Sequence, residues 1–388
     1  MSNIPPLLHM LEALISTPSV SSVDKSLDQG NIAVIEHLAG WLDDSGFKVE
    51  VMPLPGDRKK ANLIATLGSG TGGLVLSGHT DTVPHDEGKW KHDPFSLTQA
   101  DQRLYGLGTS DMKAFLALAI EASRELRAGD LKEPLILLAT ADEETSMAGA
   151  KALVDRKLPR ARHAVIGEPT GLRPVRMHKG ILMESIHLQG RSGHSSDPAL
   201  GNSALEAMYT VIGALREWRN ELQNKHSDPS FAVPVPTLNL GHIHGGDNPN
   251  RICPECELHI DLRPLPGMDL QELRGELQQK ILAALRDSGI QVSFESLFDG
   301  IPAMETPASA TIVQLAEKLT GHSAEAVAFG TEAPYLSQLG METVVLGPGD
   351  IEQAHQPDEY LALDRLAPTI NILKQMVNTI CIRRAPLL

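Results

Sequence analysis

Four short runs of consecutive apolar residues in this chain each lead into a histidine or an acidic residue. The runs are LVLSGH from Leu74, LILLAT from Leu135, AVI from Ala164 and TVVL from Thr343. Continuous apolar strands separated by helical stretches are typical of a parallel sheet covered by helices on both faces. Since ligands bind outside the carboxyl ends of the strands in such sheets, the four runs predict one polar site at one sheet edge.

The side chains that follow these runs, with one from a loop before a helix, predict a metal site. They are His79, Asp81, Asp111, Glu143, Glu144, Glu168 and His355. Carboxylates brought this close would repel one another unless cations balanced them. Imidazole and carboxylate ligands suit zinc, and also cobalt or manganese. One catalytic zinc needs fewer ligands, so we predict two metal ions, about 3.5–4 Å apart, with a bridging carboxylate.

Individual roles follow less directly from the residues. The Asp81 carboxylate is placed to hold the ring of His79, as the partners of metal-binding histidines usually do. Asp111 precedes a strongly helical stretch, residues 112–127, where an ordinary N-cap is the alternative. Glu143 and Glu144 are adjacent, and neighbouring side chains diverge. One of them can therefore bind metal while the other acts as a general base, and a solvated turn is the alternative.

Length and composition restrict the class of protein. A chain of 388 residues exceeds the size of a single core, so we expect two domains. A net charge of -15 argues against nucleic acid or an anionic membrane as partner. No apolar run approaches the roughly 20 residues that span a bilayer. The first 16 residues lack the features of a signal peptide, and three cysteines are too few for a disulfide framework. We therefore expect a cytoplasmic protein with reduced thiols.

A stretch of different character separates the third apolar run from the fourth. Residues 180–298 alternate strand-like and helical patterns in the order typical of a small α+β domain with one half-exposed sheet. We therefore predict that residues 1–179 and 299–388 form one metal-binding α/β domain. Its mostly parallel sheet would be covered by helices on both faces, and residues 180–298 would be inserted into it.

Three motifs resemble the signatures of the M20 metallopeptidase family, and their order extends the resemblance over essentially the whole chain. They are SGHTDTVP at 77–84, GLGTSDMK at 106–113 and ADEET at 141–145. The resemblance implies a first metal ion bound by His79, Asp111 and Glu168. It also implies a second ion held by Asp111, Glu144 and His355, with Glu143 as the general base and Asp81 orienting His79. The ions would be zinc or cobalt.

The resemblance also implies roles for the inserted segment. His194, in GRSGHSSDP, matches a histidine that reaches a neighbouring subunit's active site to stabilise the developing oxyanion, usually a large term in acyl transfer. The inserted domain would thus serve as a dimerisation (lid) domain of a homodimer. Asn250, Arg251 and Arg263 would bind the substrate carboxylate, a task that suits guanidinium groups.

Within the family, residues 239–253 and 347–361 resemble one deacetylase subgroup, so the expected substrate is a small N-acyl amino acid. Two alternatives stay open at this point. The same mechanism could serve a different N-acyl amino acid, or the chain could be a metal-binding relative without catalysis. Because every expected ligand position and the expected base are filled, we favour an enzyme.

Overall fold

The computed structural model describes residues 4–382, and they divide into two compact units. The first contains the described residues up to Arg176, Thr306–Glu325 and those from Thr331 onward; the second contains Met177–Glu305 and Ala326–Gly330. These bounds differ from the predicted 180–298: strand Gln291–Ile301 runs across the predicted boundary at 298, and strand Val175–His178 already passes from the first unit into the second before residue 180. Residues 1–3 and 383–388, which the prediction assigns to the metal-binding domain, lie outside the described part.

The first unit is built from alternating helices and strands. Its elements before the second unit are α1 (Leu7–Ile15), α2 (Ile32–Asp44), β1 (Lys48–Leu54), β2 (Asp57–Leu67), β3 (Leu74–His79), β4 (Thr98–Ala100), β5 (Arg103–Tyr105), α3 (Lys113–Ser123), β6 (Leu135–Thr140), α4 (Ala148–Arg156), β7 (His163–Pro169) and β8 (Val175–His178), the last of which continues into the second unit.

The second unit, and the return to the first, supply the remaining elements. The second unit contains β9 (Ile181–Gln189), α5 (Ala204–Lys225), β10 (Thr237–Gly245), β11 (Glu255–Arg263), α6 (Leu270–Ala284), β12 (Gln291–Ile301) and β13 (Met304–Glu305). The chain then forms α7 (Thr311–Thr320), β14 (Glu325–Val327), α8 (Ala333–Gln338), β15 (Glu342–Gly347), β16 (Tyr360–Ala362) and α9 (Leu366–Val377).

The main sheet is mixed, with parallel pairing at its centre. Its order in the first unit is β1-β2-β6-β3-β7-β15-β8. Strand β3 pairs in parallel with β6 and β7, and β15 in parallel with β7, whereas β1, β2 and β8 pair antiparallel. The four parallel strands are the four apolar runs, so their carboxyl ends lie at one edge, as predicted. This confirms the mostly parallel α/β sheet.

Continuous burial along the central strands shows that both faces of this sheet are covered. In β3, Leu74 and Leu76 belong to the core cluster that includes side chains of α1, α2, α3, α7 and α9, while Val75 is fully buried outside that cluster. Since successive strand residues point to opposite faces, Val75 is buried on the other face. Helices α4 and α8 contact each other, and α8 contacts β15, apart from the cluster.

Two element boundaries differ from the sequence expectation for local reasons. Helix α3 ends at Ser123 and not at the predicted Arg127: the amide of Leu126 closes a turn on Ser123, and Arg124 donates to carbonyls near the start of the chain. The alternating pattern of residues 62–67 predicts a strand that starts at Asn62, but β2 begins at Asp57, because Gly56, with a φ of 83°, allows a tight hairpin from β1.

The second unit is an α+β structure with its own core. Its antiparallel sheet has the order β10-β11-β9-β12. In β11 the buried residues Cys256, Leu258, Ile260 and Leu262 alternate with more exposed ones, and they join the core formed with α5 and α6. This is the half-exposed sheet that the alternating sequence pattern predicts. Among residues 4–382, no helix combines the length and apolarity that crossing a membrane requires.

A glycine sets the packing of α3 against β7 next to the predicted site. A Cβ on Gly167 would lie 2.0 Å from Cγ of Phe115. We expect Gly167→Ala to lower the free energy of unfolding by about 1–3 kcal/mol through overpacking, measured by urea denaturation. In the matched control Gly40→Ala, within α2, an added Cβ meets nothing within 4 Å, and the higher helix propensity of alanine should stabilise by up to ~1 kcal/mol. Equal effects of the two substitutions would contradict this packing account.

Candidate metal centre

His79 ends strand β3 with its ring fully buried and its two nitrogens in different surroundings. Nδ1 lies 2.9 Å from the backbone carbonyl of Asp81, to which it can donate, and Nε2 lies 3.0 Å from Oδ1 of Asp111. Burial lowers the pKa of His79, but the hydrogen bond with Asp111 and the negative charge of Glu168 raise it well above its usual value. A donating Nδ1 leaves Nε2 free to act as a ligand.

Asp111 lies between the two predicted histidine ligands. It ends the Gly106–Asp111 loop, and Met112 separates it from the first residue of α3. Its Oδ1 faces His79, while its Oδ2 lies 3.4 Å from Nε2 of His355. Burial raises the pKa of Asp111, but the two histidines outweigh that effect and hold the pKa well below its usual range. With each oxygen directed at a different histidine, Asp111 has the placement that a bridging carboxylate needs.

The two adjacent glutamates after β6 face different groups. Glu144 Oε1 lies 3.1 Å from Nε2 of His355, whose side chain is about half exposed (53%). Ligand atoms of Glu143 lie within 4.8 Å of those of His79 and Glu168. Burial and nearby carboxylates raise the pKa of both Glu143 and Glu144. Glu143 is thus grouped with Glu168 and Glu144 with Asp111, although both groups include His79; the division of the pair into ligand and base stays a prediction.

Glu168, the second-to-last residue of strand β7, carries an oxygen that lacks a hydrogen-bond partner. Its Oε1 is buried, makes no hydrogen bond and lies 3.9 Å from Nε2 of His79. Burial, reinforced by the charge of Asp111, raises the pKa of Glu168 well above its usual value. A buried oxygen of this kind is costly unless a cation or a donor meets it.

The donor set fits divalent metal ions. Within residues 4–382, two groups have ligand atoms all within 4.8 Å of one another: one is His79, Glu143 and Glu168, the other His79, Asp111 and Glu144. Imidazole nitrogens and carboxylate oxygens are the ligands of catalytic zinc and of similar ions. The first group contains Glu143 where the family pattern implies Asp111, so distance alone does not separate ligand from base.

Asp81 contacts the glutamate turn as well as the His79 ring. Its carboxylate Oδ1 is 3.9 Å from His79 Nδ1 and has no hydrogen-bond partner, whereas Oδ2 accepts the backbone amide of Glu144 at 3.1 Å. The closest acceptor to the His79 ring is thus the backbone carbonyl of Asp81. The Asp81 side chain links the ends of β3 and β6.

Two buried glutamates next to this centre were missed by the sequence analysis. Glu332 accepts hydrogen bonds from the hydroxyls of Ser77, on β3, and Thr140, on β6. Glu359 accepts the backbone amides of the loop that ends in Asp111. Both are 1% exposed. Their partners are more than 190 residues away in the chain, so no local pattern marks them.

Three of the four predicted residues of the inserted segment lie together on loops of the second unit. His194 is exposed, its Nδ1 lies 2.7 Å from the Ser196 hydroxyl, and its backbone forms a bridge with Arg251. The carbonyl of Asn250 accepts the amide of Ser195 at 3.1 Å. The structure therefore gathers His194, Asn250 and Arg251, while Arg263 lies on β11 paired with Asp261 at 3.0 Å.

Comparison with known proteins assigns the chain to a family. Residues 75–379 match the model of Peptidase family M20/M25/M40. The chain belongs to this peptidase family. It is 51% identical over 382 residues to an acetylornithine deacetylase of Edwardsiella ictaluri (strain 93-146), covering 98% of this chain and 100% of that relative. Like other M20 members, the protein is a hydrolase that acts on amide bonds.

Solved M20 structures share the fold. An M20 family metallo-carboxypeptidase of Sulfolobus solfataricus gives a TM-score of 0.74 at 19% identity, with 96% of this chain and 99% of that chain covered. A dinuclear metal binding peptidase of the M20 family from Bacillus subtilis gives 0.65 at 16% identity, with 96% and 98% covered. These structures share the fold, while the family match over residues 75–379 and the 51% identical relative confirm the resemblance predicted from the three motifs.

Asp142, just before the glutamate pair, provides a pH-dependent test of how the turn is held. The residue is 8% exposed with a φ of 62°, and its Oδ1 lies 2.5 Å from Nζ of Lys60. Burial raises the pKa of Asp142, but hydrogen bonds from Lys60, Ser146 and Ser21 outweigh it and lower the pKa to about 2.

Ionised Asp142 should therefore stabilise the folded state above pH ~4 and lose that contribution as the pH falls toward ~2. We expect Asp142→Asn to cost about 2 kcal/mol at pH 7, measured by urea unfolding, and distinctly less at pH 3. The exposed Asp155→Asn should change little at either pH. A cost for Asp142→Asn that is the same at both pH values would refute this assignment.

Proposed function

We propose that this M20 enzyme is an acetylornithine deacetylase, which hydrolyses N2-acetyl-L-ornithine to L-ornithine and acetate in arginine biosynthesis. The observation that carries the chemistry is the position of Asp111, whose two oxygens each face a different histidine. The choice of substrate is supported by the 51% identity to the Edwardsiella relative over nearly the whole of both chains.

In this proposal Asp111, His79 and Glu168 would hold one zinc or cobalt ion. Asp111 would also hold a second ion, together with Glu144 and His355. The short Asp111 and Glu144 distances to His355, and the unpartnered Glu168 oxygen near His79, support these sets. Bound cations of this kind polarise a carbonyl and lower the pKa of a water molecule.

Glu143 is the general base in this proposal. It adjoins the ligand Glu144, but its ligand atom is grouped with those of His79 and Glu168, whereas Glu144 lies 3.1 Å from His355. From there its carboxylate would take the proton of the attacking water and pass it to the departing α-amine of ornithine. Asp81 would keep the turn of Glu143 and Glu144 in register with β3 through its bond to the Glu144 amide.

We further propose that the second unit completes the active site of a homodimer. His194, grouped with Asn250 and Arg251 on exposed loops, would donate to the oxyanion in the partner's site, and Asn250, Arg251 and Arg263 would bind the substrate carboxylate. Exposed apolar side chains on α5, Leu205 at 49% and Tyr209 at 81%, support a protein contact there. Free Cys253, Cys256 and Cys381 agree with a reducing, cytoplasmic setting.

Removing the proposed base should abolish turnover without removing the metal. We expect Glu143→Gln to lower kcat on acetylornithine by about 10²–10⁴-fold while it still binds two zinc ions, measured by ornithine release and by metal analysis. The exposed Glu12→Gln, on α1, should behave as the wild type. A Glu143→Gln enzyme with two ions and wild-type kcat would exclude the proposed role.

The substrate is tested with the metal-free protein. Chelation should abolish hydrolysis of acetylornithine, and added zinc or cobalt should restore it, since the donor set fits these ions. We expect kcat/KM for acetylornithine to exceed that for succinyl-diaminopimelate. A preference for succinyl-diaminopimelate would replace the substrate but keep the mechanism, whereas no metal-dependent turnover on any N-acyl amino acid would favour a non-catalytic relative.

A further inference from the structure

Glu359 is a buried carboxylate surrounded by backbone amides. Its Oε1 accepts from the amides of Ser110 at 2.7 Å and Asp111 at 3.0 Å, and both oxygens lie 3.1 Å from the amide of Gly108. Its own carbonyl accepts the amide of Gly106 at 3.0 Å. One residue thus binds the Gly106–Asp111 loop at both of its ends.

The backbone of this loop directs several of its amides toward one point, so they need a hydrogen-bond acceptor from outside the loop. Gly106 and Gly108 have φ values of 149° and 88°, which L side chains rarely adopt, and the whole loop is buried. Successive amides in such a turn form a concavity that suits an anion. Each of these amides left unpaired would cost about 1–3 kcal/mol, so the carboxylate of Glu359 determines where the loop lies.

The same residue connects this loop to His355. Glu359 follows His355 by four residues. The segment from His355 to Glu359 includes two residues in the left-handed region, His355 at φ 59° and Asp358 at φ 57°. Asp358 Oδ1 accepts the amides of Lys91 and His92, at 2.8 and 3.1 Å. The segment that carries His355 is therefore fixed at its far end by Asp358 and Glu359, and Glu359 holds Asp111 in turn.

We propose that Glu359 is a positioning residue of the metal centre. By binding the amides of Gly108, Ser110 and Asp111, it sets the Asp111 carboxylate at the distance from His355 that a shared ion requires. This inference rests on the proposed two-metal site. It does not depend on which acyl amino acid is hydrolysed.

Glu359→Gln tests the proposal with almost no change in side-chain volume. Glutamine keeps one acceptor oxygen but presents its NH2 group to the loop amides, so the loop and Asp111 should shift. We expect the metal-free variant to fold, judged by circular dichroism, and its dissociation constant for the second zinc ion to rise about 10–100-fold in calorimetric titration, as loss of such partners typically causes. Glu359→Asp, which keeps the charge but shortens the side chain, should give a smaller rise and serves if Glu359→Gln does not fold.

Glu184→Gln is the matched control. Glu184 is equally buried, at 1% exposure, and lies 2.7 Å from Arg274 in the second unit. This control should lower the melting temperature while both zinc affinities stay at the wild-type values. If the folded Glu359 variants also keep both affinities and lose only thermal stability, Glu359 merely stabilises the loop and the inference is overturned.

The outcomes also separate this inference from the proposed function. A wild-type protein that binds two zinc ions but does not hydrolyse acetylornithine would overturn the substrate assignment alone, and the affinities of the Glu359 variants would still decide the positioning role. A wild-type protein that binds no metal would overturn both.

Discussion

Negative charge converges on one edge of the main sheet, and the arrangement of that edge depends on how each carboxylate is compensated. Asp111 faces two histidines, Asp142 faces Lys60, and Glu359 faces backbone amides. The acidic groups therefore differ in whether the folded chain already supplies a donor for their charge. Asp142 and Glu359, whose donors belong to the surrounding scaffold, hold its loops in place, whereas Glu168 Oε1, buried without a hydrogen-bond partner, keeps the capacity to bind a cation. The free energy spent on burying such a group is typical of functional sites.

The scaffold beneath these charges follows from strand pairing. Strands β6, β3, β7 and β15 are parallel neighbours, so their carboxyl ends must meet at one edge. Glu332, behind that edge, binds hydroxyls on two adjacent strands and so fixes the ends of β3 and β6 against each other. Because apolar side chains cover both faces of the central strands, the polar residues that follow these strands lie at the sheet edge.

The central sheet and most of its edge residues could be predicted because their signals are local. A continuous apolar run predicts a buried strand, and the residue after it must lie at the strand's end. Glu332 and Glu359 could not be predicted in this way, because their partners come from distant segments and only the folded chain brings them together. The small sheet of β4, β5 and β16 was missed for a similar reason: its strands have three residues each, too few for a periodic pattern.

The strand order has a consequence for the assembly of the molecule. Strand β15 lies between β7 and β8, although the whole second unit separates them from it in the sequence. During synthesis, the position between β7 and β8 therefore stays empty until the residues of β15, Glu342–Gly347, emerge. The pairing that closes this gap joins segments far apart in the chain, a kind of contact that forms slowly. His355 and Glu359 follow β15 directly, so the catalytic edge is completed only after the sheet that supports it.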